Sequence, residues 1–484
     1  MHEFLLRRAL LDTVNSSSSS SEVVCDIATQ DYTQSFDLST VDPATNGFGF
    51  TIAGSTAGSF GYGVGGAGDF NGDGINDILF SQRGYGGNLG RAYVIFGKDD
   101  SGADIDTTGM SATDGITVTG GANFDLGAQA GSVDFAGDVN GDGFDDLILG
   151  SYNYNAGNGG ATLVFGSASP TSLTLPVATT SEGVFFTGSN ANSYMGYDVS
   201  GLGDINGDGF DDFAMSSPDV ANSTYVAFGR SSFSTTPVAD NTLSGADGFV
   251  ITNANGRSID ALGDLNGDGI GDMLVTSGGN GYVIYGVAGT RSNVDVTALG
   301  GDGYQITGLD SSFGYSGAGG SDFNGDGTPD FAIGTTLYNS DAGETTLLFG
   351  DVGALSIGAL TTSEGFRMGG SAAFEYSASF LSLNGDVNGD GYDDLLIGAA
   401  QADHSAGNSG SATLIFGRAD TPTGTDLSTY TGGSTGIRID GAAAGNGLGS
   451  ALGMSDINGD GCTDLILGTA SADKVYVIFG GQKQ

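Results

Sequence analysis

Residues 69–77 read DFNGDGIND, and the same frame, D-x-N-x-D-G-x-x-D, returns six more times. The further copies are DVNGDGFDD from Asp138, DINGDGFDD from Asp204, DLNGDGIGD from Asp264, DFNGDGTPD from Asp322, DVNGDGYDD from Asp386 and DINGDGCTD from Asp456. Successive copies begin 58 to 70 residues apart. That period is too long for most solenoid repeats and suits a four-stranded propeller blade.

The sequence around each copy supports this. A short apolar run follows each loop, such as DILFS from Asp77, DLILGS from Asp146 and DLLIGA from Asp394. Such runs are strand-length and bounded by Gly or Ser. A second run, rich in β-branched and aromatic residues, closes on an aromatic-Gly pair, as in AYVIFG to Gly97, ATLVFG to Gly166 and VYVIFG to Gly480. Upstream of each loop lies a Gly/Ala/Ser-rich segment such as FGYGVGGAGD, whose small residues suit the crowded axis of a closed ring. Fourth strands start at Gly115, Gly183, Gly248, Gly303, Gly365 and Gly436, which leaves one blade short. The missing strand is GFGFTIAG from Gly47. The expected fold is all-β: a seven-bladed β-propeller of four-stranded antiparallel blades. The N-terminal strand completes the last blade, so that no edge stays unpaired. Residues 1–45, with serines at 16–21, are expected to be a flexible leader, 46–480 the propeller and 481–484 a tail.

The loops carry the chemistry. Calcium takes six to eight oxygens, and a compact loop supplies them from alternate positions around a glycine turn. In the first loop Asp69, Asn71, Asp73 and Asp77 offer side chains at positions 1, 3, 5 and 9, and Ile75 offers its carbonyl at position 7. The second and third loops place Asp138, Asn140, Asp142, Phe144, Asp146 and Asp204, Asn206, Asp208, Phe210, Asp212 in the same roles. The fourth and fifth use Asp264, Asn266, Asp268, Ile270, Asp272 and Asp322, Asn324, Asp326, Thr328, Asp330. The last two use Asp386, Asn388, Asp390, Tyr392, Asp394 and Asp456, Asn458, Asp460, Cys462, Asp464. Position 7 varies in side chain while the others do not, as a carbonyl ligand allows. An EF-hand would need a Glu at position 12; Phe80, Leu149, Met215, Val275, Ile333, Ile397 and Leu467 stand there. Metal-free Asx turns are the plainer reading, but they would leave three carboxylates per loop without a counter-charge. Up to seven Ca²⁺ are expected.

Composition agrees. Of 57 acidic residues only six are Glu, against 13 Lys and Arg, for a formal net charge of -44. Positions 1, 5 and 9 of the seven loops hold 21 of the 51 aspartates. So acidic a chain lacks the basic footprint of a nucleic-acid binder, and no apolar stretch reaches the roughly 18 residues of a membrane span. Arg7 and Arg8 interrupt the N-terminal leucines, which argues against a cleavable signal peptide. Cys25 and Cys462 are the only cysteines and are expected to be free, a single bridge being the alternative.

The seven loops with their flanking strands resemble the FG-GAP repeats of integrin alpha-subunit N-terminal propellers and their bacterial relatives, over about residues 46–480. Phe-Gly precedes the loop clearly at Phe60 and Phe313; Gly398, Ala399 and Ala400 best match the Gly-Ala-Pro element. The resemblance implies calcium on one face of the disc and a protein or glycan ligand on the opposite face. Loops 83–91, 152–160 and 402–411, with Arg83, Tyr85, Arg91, Tyr152, Tyr154 and His404, are candidates for that face. The expected function is an extracellular or cell-surface adhesion and recognition module. A polysaccharide-active enzyme on the same propeller, or a spacer in a larger secreted protein, are the alternatives. Two histidines and no nucleophile motif weigh against the enzyme. Ligand and oligomeric state are not legible.

Overall fold

Strand-length runs separated by glycine turns have one way to bury both faces of many small sheets, which is to stack them around an axis. The computed structural model describes residues 36–38 and 49–480, apart from 55–58, 99–102, 130, 178, 220–221, 234–237, 240–241, 405–406, 421–425 and 431. It shows seven sheets in a ring. Blade 1 runs outward through Phe60–Gly68, Asp77–Gln82, Arg91–Ile95 and Gly115–Thr119, all antiparallel. Blades 2 to 6 repeat it, with inner strands Val133–Gly137, Val199–Gly203, Ile259–Gly263, Phe313–Ser321 and Phe380–Leu383.

Closure is as expected. Gly49–Ala53 pairs antiparallel with Lys474–Ile478, from Gly49 opposite Ile478 to Ala53 opposite Lys474, and completes the sheet begun by Leu448–Ser455 and Asp464–Thr469. Inner strands crowd one another as their small residues suggest. A Cβ on Gly65 would lie 2.3 Å from the Val133 carbonyl oxygen of the next blade. Seven apolar clusters fill the interfaces between neighbouring blades. The second strands, such as Asp77–Gln82 and Asp464–Thr469, are buried throughout. Every residue at position 12 lies in this core, which leaves no place for an EF-hand glutamate.

The blades gain one strand beyond the four expected. In six of them a two-residue segment adds parallel to the fourth strand, as Leu173–Thr174 does on Val118 and Thr119. In blade 5 a single bridge, Gly369 to Asp426, takes that place. The segment comes from the following blade, on its way from third to fourth strand. Two residues carry no periodicity, so nothing in the sequence marks them. Phe36–Asp37 fills this position on blade 6, against Ile439 and Asp440. The sheet pattern therefore begins upstream of residue 46. The serines at 16–21 and the tail 481–484 lie outside the described residues.

Candidate metal loops and the opposite face

Each aspartate loop joins an inner strand to the second strand, so all seven open on one face of the disc. In the first, Asp69 Oδ1 accepts from the Gly72 and Asp73 amides at 2.7 and 3.0 Å, and Oδ2 accepts from the Gly74 amide at 2.8 Å. Asn71 Oδ1 accepts from Asp73 N, and Asp73 Oδ1 from Ile75 N. The chain turns this tightly because Gly72 and Gly74 have φ of 74° and 89°, and the equivalent pair is left-handed in all seven loops. Asp138, Asp204, Asp264, Asp322, Asp386 and Asp456 hold their loops with the same three amide contacts.

Position 9 differs from the other acidic positions. Asp77, Asp146, Asp212, Asp272, Asp330, Asp394 and Asp464 are all fully buried. Asp77 Oδ1 accepts from the Gly97 amide at 2.9 Å and Oδ2 from the Phe70 amide at 3.1 Å. The other six make the same clamp, to Gly166, Gly229, Gly286, Gly350, Gly417 and Gly480 on one side and to their own loop on the other. The ninth aspartate therefore locks the aromatic-Gly end of the third strand to the loop. Burial pushes these carboxyls up, to about 7 for Asp77, about 8 for Asp146 and Asp212, about 6 for Asp272 and about 7 for Asp330; the loops' other carboxylates add to the effect.

Position 8 was silent in the sequence and turns out to join the loops. Asp145, Asp211 and Asp393 each accept, through Oδ2, the amide of the first aspartate in the preceding blade, Asp69, Asp138 and Asp322, at 2.7 to 2.9 Å. Their own amides donate back to the same residues' carbonyls. Position 7 also does more than supply a carbonyl. Phe144 and Phe210 pack on Gly72 and Gly141 of the preceding loop, where an added Cβ would come within 2.3 and 2.5 Å.

Among the described residues no three His, Cys, Asp or Glu side chains converge as a metal cluster on their own. A loop offers the carboxylates of positions 1, 5 and 9, the amide oxygen of position 3 and the carbonyl of position 7. This all-oxygen set is of the kind a hard cation takes. Two loops hold oxygens with unmet demand: Asn206 Oδ1 and Asp460 Oδ2 are buried without a hydrogen-bond partner. On both counts the residues fit calcium. Cys462 is disulfide-bonded, which overturns the expectation of a free thiol; Cys25 lies outside the described residues.

A family model described as FG-GAP repeat matches residues 130–165, 313–348 and 382–415. Each match takes in the loop and its flanking strands in blades 2, 5 and 6. The chain carries FG-GAP repeats and fits the FG-GAP propeller family. Such a propeller is a protein-interaction type of module. Among solved structures, the chain is similar to two described as crystal structures of BBS1N in complex with ARL6DN, soaked with lead and with mercury. Identity is 8% in both, with TM-scores of 0.46 and 0.44. The matches cover 90% and 88% of this chain and 95% and 93% of those chains.

Loops between second and third strands, and the connections from one blade to the next, lie on the FG-GAP propeller's other face. Arg83 donates to the Tyr62 hydroxyl at 3.2 Å, and Arg91 stacks 3.5 Å from the Tyr85 ring centroid. Tyr154 packs on Phe124 and Phe185 and so supports the core, whereas Tyr152 sits edge-on to Tyr197. His404 Nε2 lies 3.5 Å from Glu375 Oε1 and 3.3 Å from Ser371 Oγ.

The axis holds a cavity of about 570 Å³ lined by inner strands. Three aspartates absent from the sequence expectations border it. Asp134 accepts from the Gly201 amide of the next blade at 3.1 Å, and Asp198 from Ile259 in the blade after that at 2.8 Å. Asp260 accepts from Ser258. Burial raises Asp134 to about 7 and Asp260 to about 6, and burial with the nearby Asp260 carries Asp198 well above its ordinary value. Asp134 and Asp260 lie in the Gly/Ser-rich inner strands and Asp198 directly before one, where a charged residue stands out from its neighbours; that was the available signal. No helix among the described residues is long and apolar enough to cross a membrane.

Proposed function

We propose that this FG-GAP propeller is a calcium-stabilised recognition module that works outside the cell or at its surface and binds a protein or glycan ligand on the face opposite the aspartate loops. The observation that carries the reading is the sevenfold repetition of one oxygen-donor loop, two copies of which keep a buried oxygen unpaired. Bound calcium would supply charge neutralisation among the carboxylates of each loop. The residues themselves set the turn, clamp the third strand and join neighbouring loops. The role is structural, which leaves the opposite face for recognition. The bonded state of Cys462 supports an oxidising compartment, and extracellular calcium modules bind at roughly 10⁻⁴–10⁻³ M, which suits that location.

The test is a metal count on purified protein, paired with calorimetric titration of calcium into chelator-treated protein. About seven calcium ions per chain with sub-millimolar affinities are expected. A count near zero after dialysis against millimolar calcium would sink the calcium reading, and fractionation with cytosolic markers would sink the location.

A further inference from the structure

The described residues expose five large apolar side chains: Val287, Leu309, Tyr315, Leu337 and Phe374, at 41, 38, 37, 52 and 62% of their surface. Val287 follows the third strand of blade 4, on the aspartate-loop face. The other four sit together on the opposite face, across blade 5. Leu337 donates its amide to Ser312 Oγ at 3.1 Å, which ties its turn to the connection that carries Leu309. Phe374 donates its amide to the Ser340 carbonyl of that same turn at 3.2 Å. Tyr315 lies toward the axis, with the Arg257 guanidinium 4.0 Å from its ring centroid.

The seven blades act as one another's controls. Leu337 stands seven residues after the ninth aspartate of its loop, where the other blades carry Gly84, Asn153, Asp219, Gly279, Gln401 and Ser471. Leu309 stands two residues beyond the fourth strand, where Gly121, Ser189, Ala254, Ser371 and Ala442 stand elsewhere. Phe374 has a φ of 68°, and the matching residues of three other connections are Asn123, Asn192 and Gly445, with φ of 70°, 61° and 78°. Asparagine and glycine suit left-handed backbone; phenylalanine does not. The sector around blade 5 thus carries apolar residues in place of small or polar ones at three positions on one face, Leu309 in the connection that enters the blade and Leu337 and Phe374 beyond its second and fourth strands, and Phe374 is against the backbone's preference as well as the solvent's. The fold needs none of these changes, since its other blades do without them. Residues 309–315, 337–343 and 371–376 also carry Asp310 and Asp341 and no Lys or Arg; Glu375 is buried against Ser371 and His404, and the Arg367 guanidinium, 5.2 Å from the Tyr338 ring centroid, is paired with Glu344.

We infer that the blade 5 sector of this face, around Leu309, Leu337 and Phe374, docks a protein segment that presents bulky apolar side chains flanked by Lys or Arg. The apolar trio supplies the desolvated anchor that a docking site needs. The acidic surroundings, on a chain of net charge -44, select a basic partner over an acidic one. The inference rests on the reading that this face is the one used for recognition, and it adds the sector and the chemistry of the partner.

The experiment uses a phage-displayed library of random 12-residue peptides, selected on purified full-length protein in millimolar calcium. Binding of the enriched peptides is then measured on three variants. Leu337→Asn/Phe374→Asn turns blade 5 toward its sister blades and is expected to melt no lower than the parent. Asp310→Asn/Asp341→Asn removes charge alone, and Tyr85→Ala probes blade 1. Peptides rich in Leu, Phe, Trp, Lys and Arg are expected. Their affinity should fall at least tenfold on the first variant and severalfold on the second, and be unchanged on the third. Acidic or uncharged consensus sequences, equal binding to parent and first variant, or no enrichment at all would each overturn the proposal. Peptides that lose affinity on Tyr85→Ala instead would overturn the sector while leaving the face. Peptides indifferent to all three variants yet blocked by substitutions in the aspartate loops would overturn the face as well.

Discussion

Gly97 closes the third strand of blade 1 at the most crowded point of the clamp, and Gly97→Ala tests the clamp directly. An added Cβ would stand 2.3 Å from the Asn76 carbonyl oxygen, 2.6 Å from Ile75 Cγ2 and 2.9 Å from the Ile457 carbonyl oxygen of blade 7. Two of these three are backbone atoms, so relief requires the strand end to move. Overpacking of this kind costs roughly 1–3 kcal/mol. Movement also draws the Gly97 amide away from the buried Asp77 carboxylate, 2.9 Å distant. A lost hydrogen bond to a charged group adds roughly 1.5–3 kcal/mol. The sum is about 2.5–6 kcal/mol, a large fraction of a typical domain's stability. Gly109→Ala is the matched control: nothing lies within 4 Å of its added Cβ, and a Gly to Ala change without strain is neutral to mildly stabilising. Thermal unfolding in saturating calcium gives the global effect. Hydrogen exchange gives the local one, as lost protection in residues 69–77 and 97 but not in blades 3 to 5. If Gly97→Ala melts with the control, or exchange rises uniformly around the ring, the clamp is not what holds loop to strand.

Removing calcium is expected to lower the melting temperature markedly. Each site held at about a hundred times its dissociation constant contributes roughly 2.7 kcal/mol, and a melting curve unchanged in chelator would contradict the reading. For the axial aspartates the sign is fixed by burial: a carboxyl raised to about 7 in the fold, as Asp134 is, stabilises fully below its unfolded value near 4 and loses that contribution as pH rises through about 7. In calcium-saturated protein, Asp134→Asn should therefore flatten the fall in melting temperature between pH 4 and 8; an unaltered slope refutes the assignment. Deleting Gly49–Ala53 should leave Lys474–Ile478 without its outer partner and yield an aggregation-prone protein, whereas a monomer of unchanged melting temperature would show that closure does not depend on this strand.

Wherever the chemistry repeats, the fold is legible in the chain. Seven aspartate frames, seven aromatic-Gly strand ends and a fourth strand displaced to Gly49–Ala53 are enough to place the four antiparallel strands of each blade. Segments such as Leu173–Thr174 escape because two residues show no pattern and their partner lies in the preceding blade. The ninth aspartate reads correctly as part of the loop, but its clamp on Gly97 depends on a strand end 20 residues away. Asp145 and Asp134 look like surplus charge until the neighbouring blade is in place. Leu337 and Phe374 are unremarkable apolar letters in a linear reading. They become informative only when blade is laid on blade and each is seen to occupy a position that its counterparts keep small or polar.

The two-residue outer strands bear on how the molecule avoids its own kind. A ring of seven separate sheets would ordinarily offer seven free margins, each a template for pairing with another molecule. Here the margin of one sheet is covered by a thread borrowed from the next, and at Phe36–Asp37 from the start of the chain. The thread is so short that it presents almost no margin of its own. The unit that repeats along the chain is thus not the unit that stands as a sheet in space. A fragment cut at any sequence boundary would leave one blade without its cover and another without its source, so the ring resists being shortened one repeat at a time.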